Sequence, residues 1–320
     1  MDFVKNIIGK ELSTFEKKFE DAVRSNTPML DRILRYIIKR KGKQMRPMFV
    51  FLSAKLVGEI NESTYRAAAL VELLHTATLV HDDVVDESME RRGFFSINAI
   101  WKNKIAVLVG DYLLSKGLLL STSNEDFMHL HILSEAVKQM SEGELLQIEK
   151  SRKLNLDEDV YFEIIRNKTA SLLSSACAVG AYSTGKDETK TEKMKLFGQK
   201  VGIAFQIKDD LFDYGKEDVG KPTGNDIREK KLTLPLIYTL NTIDKNARRK
   251  IIYMLKNENK NKESINFIIE SVIKAGGIKY AETKMNLYRD EALEILYTFD
   301  ASPVRSALEE LVRFTTDRKY

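Results

Sequence analysis

The sequence predicts an all-α protein, and three observations carry that reading. Apolar residues recur at helical spacing along almost the whole chain, as in Leu70, Leu73, Leu74 and Ala77, or Phe197, Val201 and Phe205. Proline and glycine are scarce, 5 and 16 in 320 residues, which favours long uninterrupted helices. No segment shows the alternation of a convincing strand. No linker or repeat period divides the chain, so residues 1–320 read as one domain, an orthogonal or bundle-like packing of many helices.

Taken in order, the breaks between helices locate the chemistry. Arg40-Lys41-Gly42-Lys43 reads as an ordered loop, with Lys43 and Arg46 three apart at the helix start before Pro47. The apolar helix through Leu70 and Val80 ends in His81-Asp82-Asp83-Val84-Val85-Asp86, and Arg91-Arg92-Gly93 follows. The apolar run from Ile105 to Val109 is interrupted by Gly110 and Asp111, short of a membrane span. Ser123 to Asp126 precede a polar helix start bearing His129 and His131. Lys168-Thr169 opens a small-residue helix in which Cys177 reads as packed core rather than nucleophile. The stretch from Val201 to Ile207 leads into Lys208-Asp209-Asp210-Leu211-Phe212-Asp213. A loop from Gly215 to Asn225 follows, with Lys221 and Lys231 flanking Gly224-Asn225-Asp226, and Asn257 to Lys262 reads as a plain exposed turn.

Composition narrows the function. The 51 basic and 47 acidic residues leave a net charge of +4, too small an excess to argue for nucleic acid. A single cysteine allows no internal disulfide and fits a reducing compartment. Met1-Asp2-Phe3-Val4-Lys5 lacks a signal-peptide layout, so the expected location is cytoplasmic.

The two Asp-Asp-x-x-Asp clusters pose an electrostatic problem. Asp82 stacks with Asp86, and Asp209 with Asp213, at i and i+4 on a helix face. Aspartate is a poor helix former and is rarely buried without a partner, so the end of an apolar helix needs compensation there. Hard divalent cations such as Mg²⁺ supply it, because they take carboxylate oxygens and keep positions for a substrate's phosphates. Lys43, Arg46, Arg91, Arg92, Lys168, Lys221 and Lys231 provide the cations a polyphosphate needs. A phosphohydrolase reading built on His75 and His81-Asp82 leaves the second cluster idle and finds only four histidines in the chain.

These motifs together resemble the all-trans isoprenyl diphosphate synthases, the polyprenyl synthetase family. The matching residues are Gly42-Lys43-x-x-Arg46-Pro47, His75, Asp82-Asp83-x-x-Asp86, Arg91-Arg92-Gly93 and Gly110-Asp111-Tyr112-Leu113. They continue with Lys168-Thr169, Phe205-Gln206-x-x-Asp209-Asp210-x-x-Asp213 and Gly220-Lys221-Pro222-x-Gly224-x-Asp226, in the family's order.

The resemblance implies an isoprenoid-synthase helical bundle with a central cavity, and head-to-tail prenyl transfer. Three Mg²⁺ ions, for which Mn²⁺ could substitute, would be held by Asp82, Asp86 and Asp209, supported by Asp83, Asp210 and Asp213. Arg91, Lys168, Lys221 and Lys231 would hold the allylic diphosphate, with Thr169 and Gln206 near the developing cation. Isopentenyl diphosphate would take a metal-free site of Gly42, Lys43, Arg46, His75 and Arg92. The resemblance also implies a homodimer through helices around Gly110 to Leu120, and a product handed to membrane enzymes.

Chain length should be gauged on the helix of the first cluster. Thr78 is one turn before Asp82, and Leu74 a further turn away. Each turn rises about 5.4 Å, near the length of an isoprene unit. Ala77 and Thr78 are small, so a longer product of seven or eight units is expected, with a floor at Leu113, Leu114 or Leu118 to Leu120. The rivals are a short-chain synthase, a class I terpene cyclase and a silent subunit of a heteromeric synthase. The complete second cluster and Lys43 with Arg46 argue against a cyclase, and the retention of all six aspartates argues against a silent subunit.

Overall fold

The computed structural model describes residues 1–39, 42, 44–91, 93–154, 157–215 and 224–317. The helices in chain order are α1 (Asp2–Val23), α2 (Pro28–Ile38), α3 (Met45–Val57), α4 (Glu62–Val85), α5 (Ile97–Thr122) and α6 (Phe127–Lys153). Then come α7 (Glu158–Ile165), a π-helical turn (Arg166–Ala170), α8 (Ser171–Gly185), α9 (Glu188–Phe212) and α10 (Asn225–Arg228). The remainder is α11 (Leu234–Thr242), α12 (Lys245–Asn257), α13 (Lys262–Lys274), α14 (Gly277–Leu296) and α15 (Pro303–Asp317). The all-α expectation holds. The departure from it is a two-residue antiparallel ladder, β1 (Glu90–Arg91) with β2 (Phe94–Phe95), turned at Gly93 with φ +76°. Gly93 supplies a left-handed conformation that other residues resist, so a hairpin forms where no alternating pattern announces one.

Two compact units make up the chain: residues 1–137, 175–195 and 299–308 in one, and 138–174, 196–298 and 309–320 in the other.

In the first unit α4 is the central element, packed against α1, α3 and α5. Helix α1 contributes one apolar stripe, Val4, Ile8, Leu12, Phe15, Phe19 and Val23, each three or four residues from the last. A capping box starts α4: the Asn61 side chain accepts from the Thr64 N–H, and the Asn61 N–H reaches the Thr64 hydroxyl. Helix α5 can lie close to α4 because of two glycines. A Cβ on Gly110 would fall 2.1 Å from His81 Nε2, and one on Gly117 would fall 2.9 Å from Leu70 Cδ1. By length and composition α5 could cross a membrane, which the sequence expectation did not grant it, but its seam with α4 makes it a packed helix.

The second unit has a separate core. Tyr161, Phe162 and Ile165 of α7 meet Ile203 and Ile207 of α9 and Ile237 of α11 in one buried cluster. Helix α14 begins against α11, where a Cβ on Gly277 would come within 2.4 Å of the Pro235 carbonyl oxygen.

Candidate active site

In the first unit, the aspartates stand at the C-terminal end of α4. Asp86 is its C-cap and donates its backbone N–H to the Asp82 carbonyl at 2.8 Å, so the i, i+4 relation of the two carboxylates is real. Asp82 is half-buried and Asp86 exposed, whereas Asp83 points inward and is 3% exposed. That split follows from the helix: adjacent residues are rotated about 100° apart and cannot share a face. His75 is buried, Leu74 and Ala77 are buried, and half-buried Thr78 donates its hydroxyl to the His75 carbonyl at 2.9 Å. Arg46 lies in the first turn of α3, and Gly42 is exposed in the loop before it. Arg91 is on β1, its backbone paired with Phe94. Lys43, Arg92 and Lys221 lie outside the described residues.

The deeper chain-length residues divide. Leu113 is buried, but Leu118 and Leu119 are 47% and 61% exposed, so these two do not floor a cavity within the chain. They sit on the α5 face turned away from α4, which helical spacing alone did not reveal.

In the second unit, one cavity is lined by Gln147, Lys168, Thr169, Gln206, Asp210 and Lys231, among others. Lys168 and Thr169 do not open a helix as the sequence suggested. They lie in the π turn that continues α7 into α8, an element often found at functional sites. Glycines let neighbouring backbone press on this turn: a Cβ on Gly143 would meet Lys168 N at 2.8 Å, and one on Gly202 would meet Ala170 Cα at 2.6 Å.

A directional chain of hydrogen bonds runs through the cavity. The Thr169 hydroxyl donates to Gln206 Oε1 at 2.7 Å, and Gln206 Nε2 donates to Asp210 Oδ1 at 2.8 Å. Tyr161 donates its hydroxyl to Asp210 Oδ2 at 2.7 Å. Burial, then the Asp226 and Asp209 charges, push the Asp210 carboxyl up to about 8, against the lowering effect of the two donors. Burial likewise raises Tyr161 well above the usual phenol range.

Asp213 departs from the expected face of Gln206, Asp209 and Asp213. Helix α9 ends at Phe212, so Asp213 lies in the turn beyond it. Its carboxylate accepts the backbone N–H groups of Asn225 at 2.7 Å and Asp226 at 3.1 Å, closing the chain onto the start of α10. Asp209 is half-buried. Lys168 ion-pairs with Glu144 and has Gln147 Oε1 at 3.4 Å, and Lys231 has Glu229 at 2.5 Å. The sequence reading missed Tyr161, Glu144 and Gln147. Glu144 and Gln147, three apart just after a glycine on α6, were the one local signal available.

The donor set suits Mg²⁺. Among the described residues no three His, Cys, Asp or Glu side chains gather into a ready cage. Mg²⁺ does not require one, since it is commonly held by one or two carboxylates together with waters and substrate phosphates. Asp82 with Asp86, and Asp209, offer such hard oxygen donors at accessible helix ends.

Comparison with known proteins agrees with this chemistry. The family model described as polyprenyl synthetase matches residues 27–272. The heptaprenyl diphosphate synthase component 2 of Bacillus subtilis (strain 168) is 34% identical over 98% of this chain and 90% of its own. A polyprenyl synthase from Caulobacter crescentus CB15, solved with calcium and isoprenyl diphosphate, superposes with a TM-score of 0.92 at 34% identity, covering 100% of this chain and 98% of that one. A decaprenyl diphosphate synthase from Rhodobacter capsulatus gives 0.94 at 33% identity, covering 99% and 98%.

Proposed function

The chain belongs to the polyprenyl synthetase family, and from that premise we propose that it condenses isopentenyl diphosphate head-to-tail onto an allylic diphosphate, giving a medium- or long-chain all-trans product. The observation that carries the reading is the cavity of the second unit, where Lys168 and Lys231 stand with the Thr169–Gln206–Asp210 chain.

Asp82, Asp86 and Asp209 would hold Mg²⁺, with Asp83, Asp210 and Asp213 supporting them, and the bound metal would supply positive charge for the departing diphosphate. Lys168 and Lys231 balance the negative charge that grows as the allylic carbon–oxygen bond breaks. The Thr169 and Gln206 oxygens place their negative ends where the allylic cation develops. Arg46 and His75 serve isopentenyl diphosphate, whose bond must stay intact and whose double bond attacks the cation. A proton is then lost to the released diphosphate, so no nucleophilic side chain is needed. Cys177, fully buried and raised to about 12 by burial, is inert.

The small residues Ala77 and Thr78 support a C35–C40 product, destined for a membrane-bound acceptor such as a quinone. Incubation with farnesyl diphosphate, isopentenyl diphosphate and Mg²⁺ should yield products beyond C30; mainly C15 or C20 product would refute the length assignment. The name component 2 of the Bacillus relative supports a second reading, in which a partner subunit is needed for full chain length. Turnover by the purified chain alone decides between the two.

A further inference from the structure

We infer that Glu144 stands in for the substrate's phosphate, holding the Lys168 ammonium until diphosphate displaces it and thereby limiting how tightly diphosphate is retained. The inference rests on the proposed prenyl transfer and adds a positioning residue to it.

The geometry begins with Gly143. Its missing side chain lets α6 lie directly against the π turn, with the built Cβ position 2.8 Å from Lys168 N and 2.9 Å from Asn167 Cβ. Backbone against backbone leaves little slack, so the next residue is held within reach of the Lys168 side chain. Glu144 ion-pairs with Lys168, and Gln147, three residues on and therefore on the same face, approaches it at 3.4 Å. The pair is reachable from solvent, Lys168 being 33% and Glu144 28% exposed in their side chains, so it can exchange partners.

Lys168 lines the same cavity as Thr169, Gln206 and Asp210. A diphosphate oxygen drawn to Lys168 there competes with the Glu144 carboxylate for the same ammonium. Once displaced, Glu144 remains beside the bound anion and repels it, which opposes retention of the leaving diphosphate. Lys231, on the same cavity, is matched in the same way by Glu229 at 2.5 Å. Both described lysines of the cavity thus carry a carboxylate that a phosphate must replace.

Calorimetric titration of the full chain with inorganic diphosphate and excess Mg²⁺ tests this. Glu144→Gln should bind diphosphate about fivefold more tightly, the scale of a partly exposed ion pair. KM for the allylic substrate should fall in step while kcat does not rise. Glu142→Gln, exposed on the same helix, should match the wild type. Unchanged or weaker diphosphate binding by Glu144→Gln overturns the inference, because a purely structural Glu144 predicts one or the other. If Glu144→Gln fails to fold, Glu144→Ser is read by the same criterion. Wild-type protein that binds diphosphate yet consumes no isopentenyl diphosphate would sink the functional reading instead, a separate result.

Discussion

Gln206 donates its side-chain amide to Asp210, one helical turn further along α9, at 2.8 Å. The Thr169 hydroxyl fixes the orientation of that amide from its oxygen side. Asp210 is therefore held by two donors inside a buried wall, while Asp209, its sequence neighbour, is the more accessible carboxylate. The two aspartates of the second cluster have different tasks because a helix turns them to different sides.

Removing one donor should expose the strain. Tyr161→Phe keeps the ring in the core and leaves Asp210 Oδ2 without its hydroxyl partner. Loss of a buried donor to a carboxylate costs about 1–3 kcal/mol. Urea unfolding should show that loss, and steady-state assays a lower kcat; wild-type stability would mean that water replaces the hydroxyl.

Product length should respond to Thr78 more cleanly than to Ala77. Ala77 is fully buried where α4 meets its neighbours, so Ala77→Phe overpacks the core by about 1–3 kcal/mol. Thr78 is half-buried and gives up only a hydroxyl bond to its own helix. Thr78→Phe should shorten the product with activity retained. Chromatographic sizing checks this, and an unchanged product places the tunnel elsewhere.

Acid sensitivity should trace to His129. Its side chain is buried against Tyr182, with Nδ1 3.8 Å from Asp126 Oδ1. Burial outweighs that carboxylate and lowers the imidazole from 6.5 to about 4. Between those values the unfolded chain binds the proton and the folded one does not. The stability is therefore present above 6.5 and is lost as pH falls toward 4. The full loss is on the order of 3 kcal/mol. His129→Gln should flatten the curve of unfolding free energy against pH in that window, and a curve of unchanged slope would point to another group.

Self-association should depend on α5. Val107, Leu108, Leu118 and Leu119 are exposed on this helix, which supports pairing with a second copy. Leu119→Glu should convert a dimer to monomer in sedimentation velocity. A wild-type monomer at micromolar concentration would remove the basis for that pairing.

The sequence by itself determined the helical fold, the two acid clusters and the lysines Lys168 and Lys231, because periodicity and charge spacing are local properties of a chain. It also separated Asp82 and Asp86 as a stacked pair, since i and i+4 meet on any helix. Tertiary structure alone decided the rest. Asp213 became a backbone acceptor only because the chain returns at Asn225, and Tyr161 reached Asp210 across 49 residues of sequence. The π turn under Lys168 depends on two glycines from other segments, Gly143 and Gly202, pressing against it. The Glu144–Lys168 pair follows from the same close approach. Contacts between distant segments are set by which surfaces pack, and no short window of sequence holds both surfaces.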